Sequence, residues 1–339
     1  MPESLRTEKE KGLDKKTRRE QMSSYSGDKE RKNENTEAGW RQYTNGNVYV
    51  AINIFDGTKI RVTNDDEFSA DFPESVDMKI TDHCEMGCKM CHEGSTKTGK
   101  HSDLSDPGAT FLRTLRQYTE IAIGGGAVTS HPRIDEFLVY LKERKILANV
   151  TLHERELMDN IERIQKWIDN KLVNGVGISL HTPFDQTVCD FAERNKNTVL
   201  HIIAGITPFD WLKEYGNRGL KLLVLGYKNW GRGEEYYRER QKAVDLHIGA
   251  LERNIDKVFE MFKVVSFDNL ALRQLNIRQH TDDEAWGLCY QGSDASHTMY
   301  IDLVKGEFAA TSTSADRYNL METIDDMFAK VKGTMNHIV

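Results

Sequence analysis

Short apolar runs alternate with segments of helical period over most of the chain. After residue 74, seven runs have the length and apolar character of buried strands, and the stretches between them repeat apolar residues every three to four positions. The strands are predicted at residues 76–80, 120–123, 148–152, 175–180, 199–204, 221–225 and 264–267. Because repeated β-α units of this length build a parallel sheet covered by helices, the pattern predicts an α/β fold.

The number of these units indicates how the sheet is arranged. Six or seven of them favour a partial (β/α)6, TIM-like barrel, and an open, doubly wound sheet is the competing arrangement. Pro132 and Pro183 stand where helices should begin, in agreement with the preference of proline for the first turn. Amphipathic helices are predicted at residues 134–145, 157–171 and 234–262.

The chain on either side of the barrel has a different pattern. Residues 47–55 and 58–63 flank Asp56-Gly57, a dipeptide suited to the positive φ angles of a two-residue turn, so they predict a β-hairpin. Near the other end, a second hairpin is predicted at 299–303 and 307–310, and a last helix at 321–332. We therefore expect four regions: a disordered charged tail (1–36), an N-terminal β-hairpin (37–73), the barrel (74–275) and a small C-terminal α/β extension (276–339).

The composition narrows the class of protein further. No run approaches the roughly 18–20 apolar residues that span a membrane, and the polar N-terminus has no apolar segment of the kind that a secretory signal needs. With 46 Lys and Arg against 53 Asp and Glu, the formal net charge is −7. This charge argues against broad, charge-driven binding of nucleic acid but leaves a local basic groove open. The expectation is a cytoplasmic protein.

Three of the five cysteines lie within eight residues of one another. Cys84, Cys88 and Cys91 form a C-x3-C-x2-C pattern directly after the first predicted barrel strand. Three thiolates on a short loop can bind three irons of a cubane cluster and leave the fourth iron open to a ligand. A structural zinc is the alternative, for which His83, His101 or a distant cysteine could complete the four ligands.

This pattern, on the loop after the first strand of a β/α barrel, resembles the radical S-adenosylmethionine (SAM) enzyme superfamily, and in particular its single-cluster members, including phage-encoded ones. The resemblance covers about residues 74–275 and implies a partial barrel of the radical SAM type. It implies that Cys84, Cys88 and Cys91 hold a [4Fe–4S] cluster, and Met90 fits the apolar position common before the third cysteine. An external one-electron donor would reduce this oxygen-sensitive cluster, and SAM would be cleaved to a 5′-deoxyadenosyl radical that abstracts a substrate hydrogen.

A glycine-rich segment at the end of the second predicted strand supports the same resemblance. Gly124, Gly125 and Gly126 are similar to the family's Gly-Gly-Glu-Pro segment, whose backbone binds the amino group of SAM. Glycines let main-chain carbonyls approach a ligand closely. Ala127 and Val128 stand where that segment commonly has an acid and a proline, so recognition of SAM would rest more on the backbone here.

The carboxyl ends of barrel strands face the active site, and this rule selects further candidates. It selects His153 and Glu154 after the third predicted strand and Lys228 after the sixth. By resemblance, Ser179 and His181 at the fourth strand are the preferred contacts of the SAM ribose or carboxylate, and Gly205-Ile206 could lie against its adenine. His201 lies inside an apolar run and is interpreted as a core histidine.

No residue can be assigned a catalytic role toward the substrate from the sequence, and three are weak candidates. Cys189 and Cys289 could each donate a hydrogen atom to a product radical, although an isolated cysteine is more often a buried apolar side chain. Tyr227 begins a glycine-rich loop, residues 227–233, that could close over a substrate. Tyr290, Tyr300 and Arg317 in the C-terminal region could line the mouth of the barrel.

The substrate class stays open. The remaining cysteines, Cys189 and Cys289, are too few to hold a second cluster. This favours a small-molecule substrate: a nucleoside, a modified base or an amino-acid-like compound, with DNA-base hypermodification as one form of this hypothesis. Peptide or protein modification is the second enzyme hypothesis. A non-catalytic iron–sulfur or zinc protein that acts as a binding partner is the hypothesis of a different class.

Overall fold

A ten-stranded mixed sheet organises the protein, with a separate three-stranded sheet at one end of it. The computed structural model describes residues 39–65, 68–290 and 292–335. The predicted charged tail, residues 1–36, lies outside this part of the chain. The strands are β1 (Trp40–Asn45), β2 (Val48–Asn53), β3 (Lys59–Val62), β4 (Ser75–Thr81), β5 (Glu120–Gly125), β6 (Leu147–His153), β7 (Gly175–Ser179), β8 (Thr198–Ile203), β9 (Lys221–Leu225), β10 (Val264–Phe267), β11 (Thr298–Asp302), β12 (Glu307–Ala309) and β13 (Tyr318–Asn319).

Helices follow most of the strands of the large sheet. They are α1 (Ile134–Glu143), α2 (Glu154–Asp169), α3 (Gln186–Arg194), α4 (Phe209–Tyr215), α5 (Arg232–Glu252), α6 (Ile255–Met261), α7 (Asn269–Gln274), α8 (Asp283–Cys289) and α9 (Ile324–Met335). The helix predicted over residues 234–262 is two helices, α5 and α6, which meet near Asn254. Among the described residues, no helix is both long and apolar enough to cross a membrane.

The order of the strands confirms the predicted α/β class. Strands β4 to β10 lie side by side in chain order and pair in parallel, as repeated β-α units require. All seven predicted strands are present, and those at 221–225 and 264–267 have the predicted bounds. Parallel strands joined by helices leave all their carboxyl ends at the same edge of the sheet, which is where a site is expected.

Apolar and polar residues alternate along β4, so that one face of the strand packs in the core and the other faces the concave side of the sheet. Val76, Met78 and Ile80 are buried in the main hydrophobic core between the sheet and its helices. Because side chains along a strand point to opposite faces, Asp77 and Lys79 lie on the other, concave face. The polar residues of this first strand therefore face the interior, where a ligand would bind.

The small sheet covers the amino ends of the barrel strands. It contains the predicted hairpin, β2 and β3, and an additional strand, β1, that pairs antiparallel with β2. Lys59 of β3 forms ion pairs with Glu120 and, at 3.6 Å, with Glu74, while Arg61 Nε donates to Glu74 Oε2 at 2.8 Å. These buried pairs hold the small sheet against the end of the large sheet that lies away from the cysteine loop.

The C-terminal strands continue the large sheet. β11 pairs in parallel with β4, and β12 and β13 follow it as antiparallel strands, so the second predicted hairpin is formed by β11 and β12. This pairing brings Asp302 and Tyr300 to the concave face beside β4. The four predicted domain limits stay a prediction.

Candidate functional site

The cysteine loop follows β4 at the carboxyl edge of the sheet. Main-chain hydrogen bonds close it: Cys84 N donates to Thr96 O at 2.9 Å, and Cys91 N donates to Cys88 O at 3.3 Å. Gly87 has a φ of +67°, a conformation that favours glycine and lets the loop turn tightly between Cys84 and Cys88. The three thiols are free and half-buried.

The electrostatics of these thiols show what kind of group the loop suits. Burial, together with the neighbouring Cys91 and Cys84 sulfurs, raises the pKa of the Cys88 thiol to about 11. Burial and Cys91 also raise the pKa of Cys84, although its hydrogen bond with the Met86 backbone and the Arg232 charge oppose this. Three thiolates gathered in this way repel one another unless a cationic centre lies between them, so the donor set fits a metal cluster.

The spacing of the sulfurs separates a cluster from a single zinc ion. Thiolates on one tetrahedral zinc lie about 3.8 Å apart, given a Zn–S bond of about 2.3 Å. Within the described ranges, the three cysteine sulfurs do not all lie within 4.8 Å of one another. The three thiols are therefore not gathered around one mononuclear ion, whereas Cys88 meets this spacing with His153 and His181.

Arg232, at the start of α5, braces the loop from the other side of the sheet edge. Its Nε and Nη2 donate to Cys88 O at 3.2 and 3.1 Å, and its Nη1 donates to Ser95 O at 2.8 Å. A Cβ on Gly231 would lie 2.4 Å from His92 O, so only glycine allows this approach. The loop of residues 227–233, predicted as a cover for the substrate, thus packs on the cysteine loop.

The glycine segment lies against the beginning of the same loop. Gly126 N donates to Thr81 O at 2.7 Å, and a Cβ on Gly126 would meet His83 O at 2.1 Å. Gly125 has a φ of +109°, and a Cβ there would lie 2.6 Å from Thr81 O. Packing thus explains Gly125 and Gly126. Gly124 is different, because a Cβ there would meet no atom within 4 Å, so open space lies beside it.

Two histidines from the ends of β6 and β7 reach the cysteine loop. One ligand atom each from Cys88, His153 and His181 lie within 4.8 Å of one another. The two rings stack, and burial lowers the pKa of both, that of His153 to about 4, so both are neutral near pH 7. Glu154 holds the main chain of His181 in place, since His181 N donates to Glu154 Oε2 at 2.9 Å.

Ser179 lies beside these rings at the end of β7, and its hydroxyl has no partner among the described residues. His201 is buried against Gly177, and burial lowers its pKa to about 4, in agreement with a core histidine. Gly205 packs on Val244 of α5, where a Cβ would lie 2.7 Å from that side chain. This packing explains the glycine without the predicted adenine contact.

A cluster of charged side chains around Lys79 lies on the concave face, below the cysteine loop. Lys79 Nζ lies 2.6 Å from Asp82 Oδ1, 2.9 Å from Glu93 Oε2 and 3.3 Å from Asp302 Oδ2. Tyr300, whose ring lies under the Arg317 guanidinium, donates its hydroxyl to Glu93. Burial alone would raise the pKa of Glu93, but the hydrogen bond with His92 and the Lys79 charge hold it well below its usual range.

A cavity of about 290 Å³ opens on the concave face next to this cluster. Its wall includes Asp77 of β4, Lys228 after β9, Asp268 after β10, and the segments 292–294 and 310–313. Lys228 connects it to the cysteine loop, since its Nζ lies 3.3 Å from His92 Nε2 and 2.9 Å from Ser312 Oγ. Asp77 is open to the cavity, and it forms no ion pair or hydrogen bond with the described residues.

The three weak catalytic candidates are dispersed. Cys189 of α3 is fully buried in the core between helix and sheet, which favours a packing role. The Tyr227 hydroxyl donates to Gly233 O at 2.6 Å inside the protein. Cys289 ends α8, and its side chain lies outside the described part of the chain.

Tyr290 stacks on Trp286 with ring centroids 4.8 Å apart. Met90 lines a small apolar pocket together with Tyr227 and Lys228.

Sequence reasoning missed Asp77 and the acids around Lys79. The signal for Asp77 and Lys79 was present, because polar residues alternate with Val76, Met78 and Ile80 in a strand that was treated only as apolar. No local signal could have joined Lys79 to Asp302, since the parallel pairing of β4 with β11 links residues far apart in sequence.

A parallel α/β sheet with a three-cysteine loop at its carboxyl edge is typical of a class of enzymes that depend on an iron–sulfur cluster. Comparison with known proteins agrees with this class. Residues 78–238 match the family model of the radical SAM superfamily. Residues 78–238 therefore form a radical SAM domain, and the members of that superfamily are enzymes that use a [4Fe–4S] cluster and SAM. No protein of curated function matches the sequence.

Solved structures of SuiB from Streptococcus suis resemble the fold. SuiB bound to S-adenosylmethionine superposes with a TM-score of 0.56 at 11% identity, over 88% of this chain and 89% of that one. SuiB bound to precursor peptide SuiA gives a TM-score of 0.58 at 11% identity, over 88% and 90% of the two chains. At this identity the likeness concerns the fold alone.

Proposed function

We propose that Cys84, Cys88 and Cys91 are the ligands of the [4Fe–4S] cluster that the superfamily uses. Support comes from three half-buried thiols that share one loop, where burial and the neighbouring sulfurs raise the pKa of Cys84 and Cys88. When bound, the cluster and SAM together supply a 5′-deoxyadenosyl radical. The chain's own residues then have three tasks: to hold the thiolates, to bind SAM and to present the substrate.

SAM would bind between the glycine segment and the ends of β6 and β7. Gly124 leaves open space on the concave face, and the free Ser179 hydroxyl provides a donor there. His153 and His181 lie within reach of Cys88, and as neutral rings they add no positive charge beside a sulfonium. Met90, the apolar neighbour of the third cysteine, lies instead beside Ile203 and Leu225 at the ends of β8 and β9.

We infer that the substrate is a small polar molecule with a cationic nitrogen, of the amino-acid-like class. The observation that carries this proposal is Asp77, a carboxylate without a partner that faces the cavity beside the cysteine loop. The Asp77 side chain is exposed to the cavity, but the protein that surrounds the cavity displaces bulk water and so raises the pKa of Asp77. The Lys228 charge lowers this pKa in part, and a cation in the cavity would stabilise the charged form further. Lys228, at the same wall, suits an anionic group of the substrate.

The size of the cavity favours a small molecule over a peptide. At about 290 Å³ it lies at the lower end of the range of small-ligand sites, about 300–1,000 Å³. A peptide side chain is the second candidate, because one of the similar solved structures is SuiB bound to its precursor peptide SuiA. We also expect a cytoplasmic enzyme that takes single electrons from an external donor.

Iron content and SAM cleavage test the ligand assignment. Anaerobically reconstituted protein should bind about four irons per chain and release 5′-deoxyadenosine when dithionite and SAM are added. Cys88→Ala should lose the iron and the cleavage together. Cys189→Ala, which removes a buried thiol outside the site, is the matched control and should keep both. Retention of the full cluster in Cys88→Ala would refute the assignment.

Transfer of deuterium tests the substrate class. Deuterated pools of amino acids, amines, nucleosides and short peptides are each supplied to the reconstituted enzyme, and deuterium in 5′-deoxyadenosine identifies the substrate. Asp77→Asn should lower this transfer about a hundredfold, because it removes the carboxylate while SAM cleavage without substrate stays unchanged. Asp256→Asn, on the exposed face of α6, is the control. Transfer from peptides alone, or full transfer in Asp77→Asn, would contradict the proposal.

A further inference from the structure

A second concave surface lies at the opposite end of the sheet from the cysteine loop. It is a groove of about 610 Å³ where the small N-terminal sheet meets the turns that lead into β5, β6, β7 and β8. We call it the basal groove, because it lies at the amino ends of the strands. Its charged lining consists of six cations and no acid: Arg41, Lys142, Lys145, Lys171, Arg194 and Lys196.

These six cations lack counter-ions. Several other cations of the protein form ion pairs, such as Arg116 with Asp325 and Arg163 with Asp135. None of the six groove cations forms one within the described ranges. Lys142 Nζ donates to Asn170 O at 2.8 Å and Arg41 donates to Trp40 O, and both acceptors are uncharged main-chain carbonyls. Cations gathered without acids repel one another, so a bound polyanion would stabilise this surface.

The backbone conformation at two of these lysines does not favour a lysine side chain. Lys145 and Lys171 each occupy the turn before a strand, with φ angles of +60° and +53°. Tyr118 occupies the equivalent turn before β5 with a φ of +69°. Glycine or asparagine suits such a conformation better, so the long side chains at these three places need another reason. All three line the basal groove.

An aromatic ring adds a feature that charge alone does not require. Phe55, at the tip of the β2–β3 hairpin, is 56% exposed and lines the groove. The ammonium of Lys171 lies 5.9 Å from the centre of its ring. Exposed aromatic rings beside cations are the arrangement on which unpaired bases stack while lysines track the phosphates.

We propose that the basal groove binds single-stranded nucleic acid. The cations would contact successive phosphates, and Phe55, with Tyr118, would stack on bases. This proposal is compatible with the net charge of −7, because six basic residues line the groove and no acidic residue does. An acidic peptide would use the same cations but would gain nothing specific from the aromatic ring. The groove is distinct from the site of cluster and SAM.

Fluorescence anisotropy of a labelled 12-nucleotide single strand, as RNA and as DNA, tests the proposal with the full-length protein. Lys145→Asn with Lys171→Asn removes two charges, and asparagine tolerates the positive φ at both positions. This variant should bind at least tenfold more weakly, and its slope of log affinity against log salt should fall by about 1.4, or 0.7 for each lost phosphate contact. Phe55→Ala should weaken binding at least fivefold and leave the salt slope unchanged.

Two controls make the result decisive. Lys242→Gln with Lys257→Gln removes the same charge from exposed helix positions away from the groove, and it should bind within twofold of the wild type. Polyglutamate and AMP should displace the strand far less well than an unlabelled strand does. Equal weakening by the control pair, equal competition by polyglutamate or AMP, or unaltered binding by the groove variants would overturn the proposal. Dithionite-dependent SAM cleavage should be the same in all these variants.

Discussion

The rings of His153 and His181 stack face to face, with centroids 4.0 Å apart and an angle of 11° between their planes. Burial, and then the neighbouring His181, lowers the pKa of His153 to about 4. A stack of two neutral imidazoles beside Cys88 offers a flat surface that does not repel a positively charged ligand.

We therefore expect His181→Ala to weaken SAM binding about tenfold while the protein keeps about four irons per chain. The wild-type dissociation constant should be constant between about pH 7 and 8, because the pKa of both rings is lowered below the ordinary imidazole value. Anaerobic calorimetry at several pH values measures both effects. His247→Ala on α5 is the control. Loss of iron in His181→Ala would instead make the ring a metal ligand.

Lys79 is 3% exposed and is shared by Asp82, Glu93 and Asp302. Lys79→Met would leave these buried carboxylates without their cation, which typically costs about 3–5 kcal/mol. The urea midpoint should fall accordingly. Lys213→Met, which breaks the exposed pair with Asp210, should cost at most about 1 kcal/mol. Equal effects of the two substitutions would show that the cluster does not stabilise the fold.

The sequence was sufficient for those features that are encoded locally. Strand patterns such as 221–225 depend on apolar residues next to one another in the chain, and the cysteine spacing is contained within one loop. These two features also led to the class of enzyme.

Features that depend on distant pairing were not predictable. The strand β1 carries the mostly polar sequence WRQYTN, so it has no apolar signal and is recognised only by its pairing with β2. The sequence indicates that the glycine-rich loop of residues 227–233 could close over a substrate, but it gives no signal for the contact of Arg232 with the main chain of the cysteine loop. The cavity around Asp77 forms only when the segments 292–294 and 310–313 meet β4.

Glu156 is a buried carboxyl whose pKa burial raises to about 7, despite hydrogen bonds from the Thr129 backbone and hydroxyl at 2.7 and 2.9 Å. A raised pKa means that the folded state binds this proton more tightly than the unfolded state does. The stabilisation is complete below about pH 4.5 and is lost as the pH rises through about 7. Over this window it amounts to about 3 kcal/mol.

Glu156→Gln keeps an uncharged acceptor for Thr129 and cannot titrate. The variant should therefore lose this contribution to the pH dependence and should be more stable than the wild type at pH 8. Urea denaturation at pH 5, 6, 7 and 8 measures the difference. Glu143→Gln on the exposed face of α1 is the control and should reproduce the wild-type curve. A parallel curve for Glu156→Gln would show that another group causes the pH dependence.

The hydrogen bonds from Arg232 to the cysteine loop all go to main-chain oxygens, those of Cys88 and Ser95. A lysine ammonium is a point charge and cannot reproduce a fork that reaches both carbonyls. In Arg232→Lys we therefore expect the initial iron content to be normal but the iron to be removed about tenfold faster by a chelator. Arg238→Lys, at an exposed position on the same helix, should release iron at the wild-type rate. If both variants released iron alike, the loop would be held by its own hydrogen bonds and Arg232 would have no positioning role.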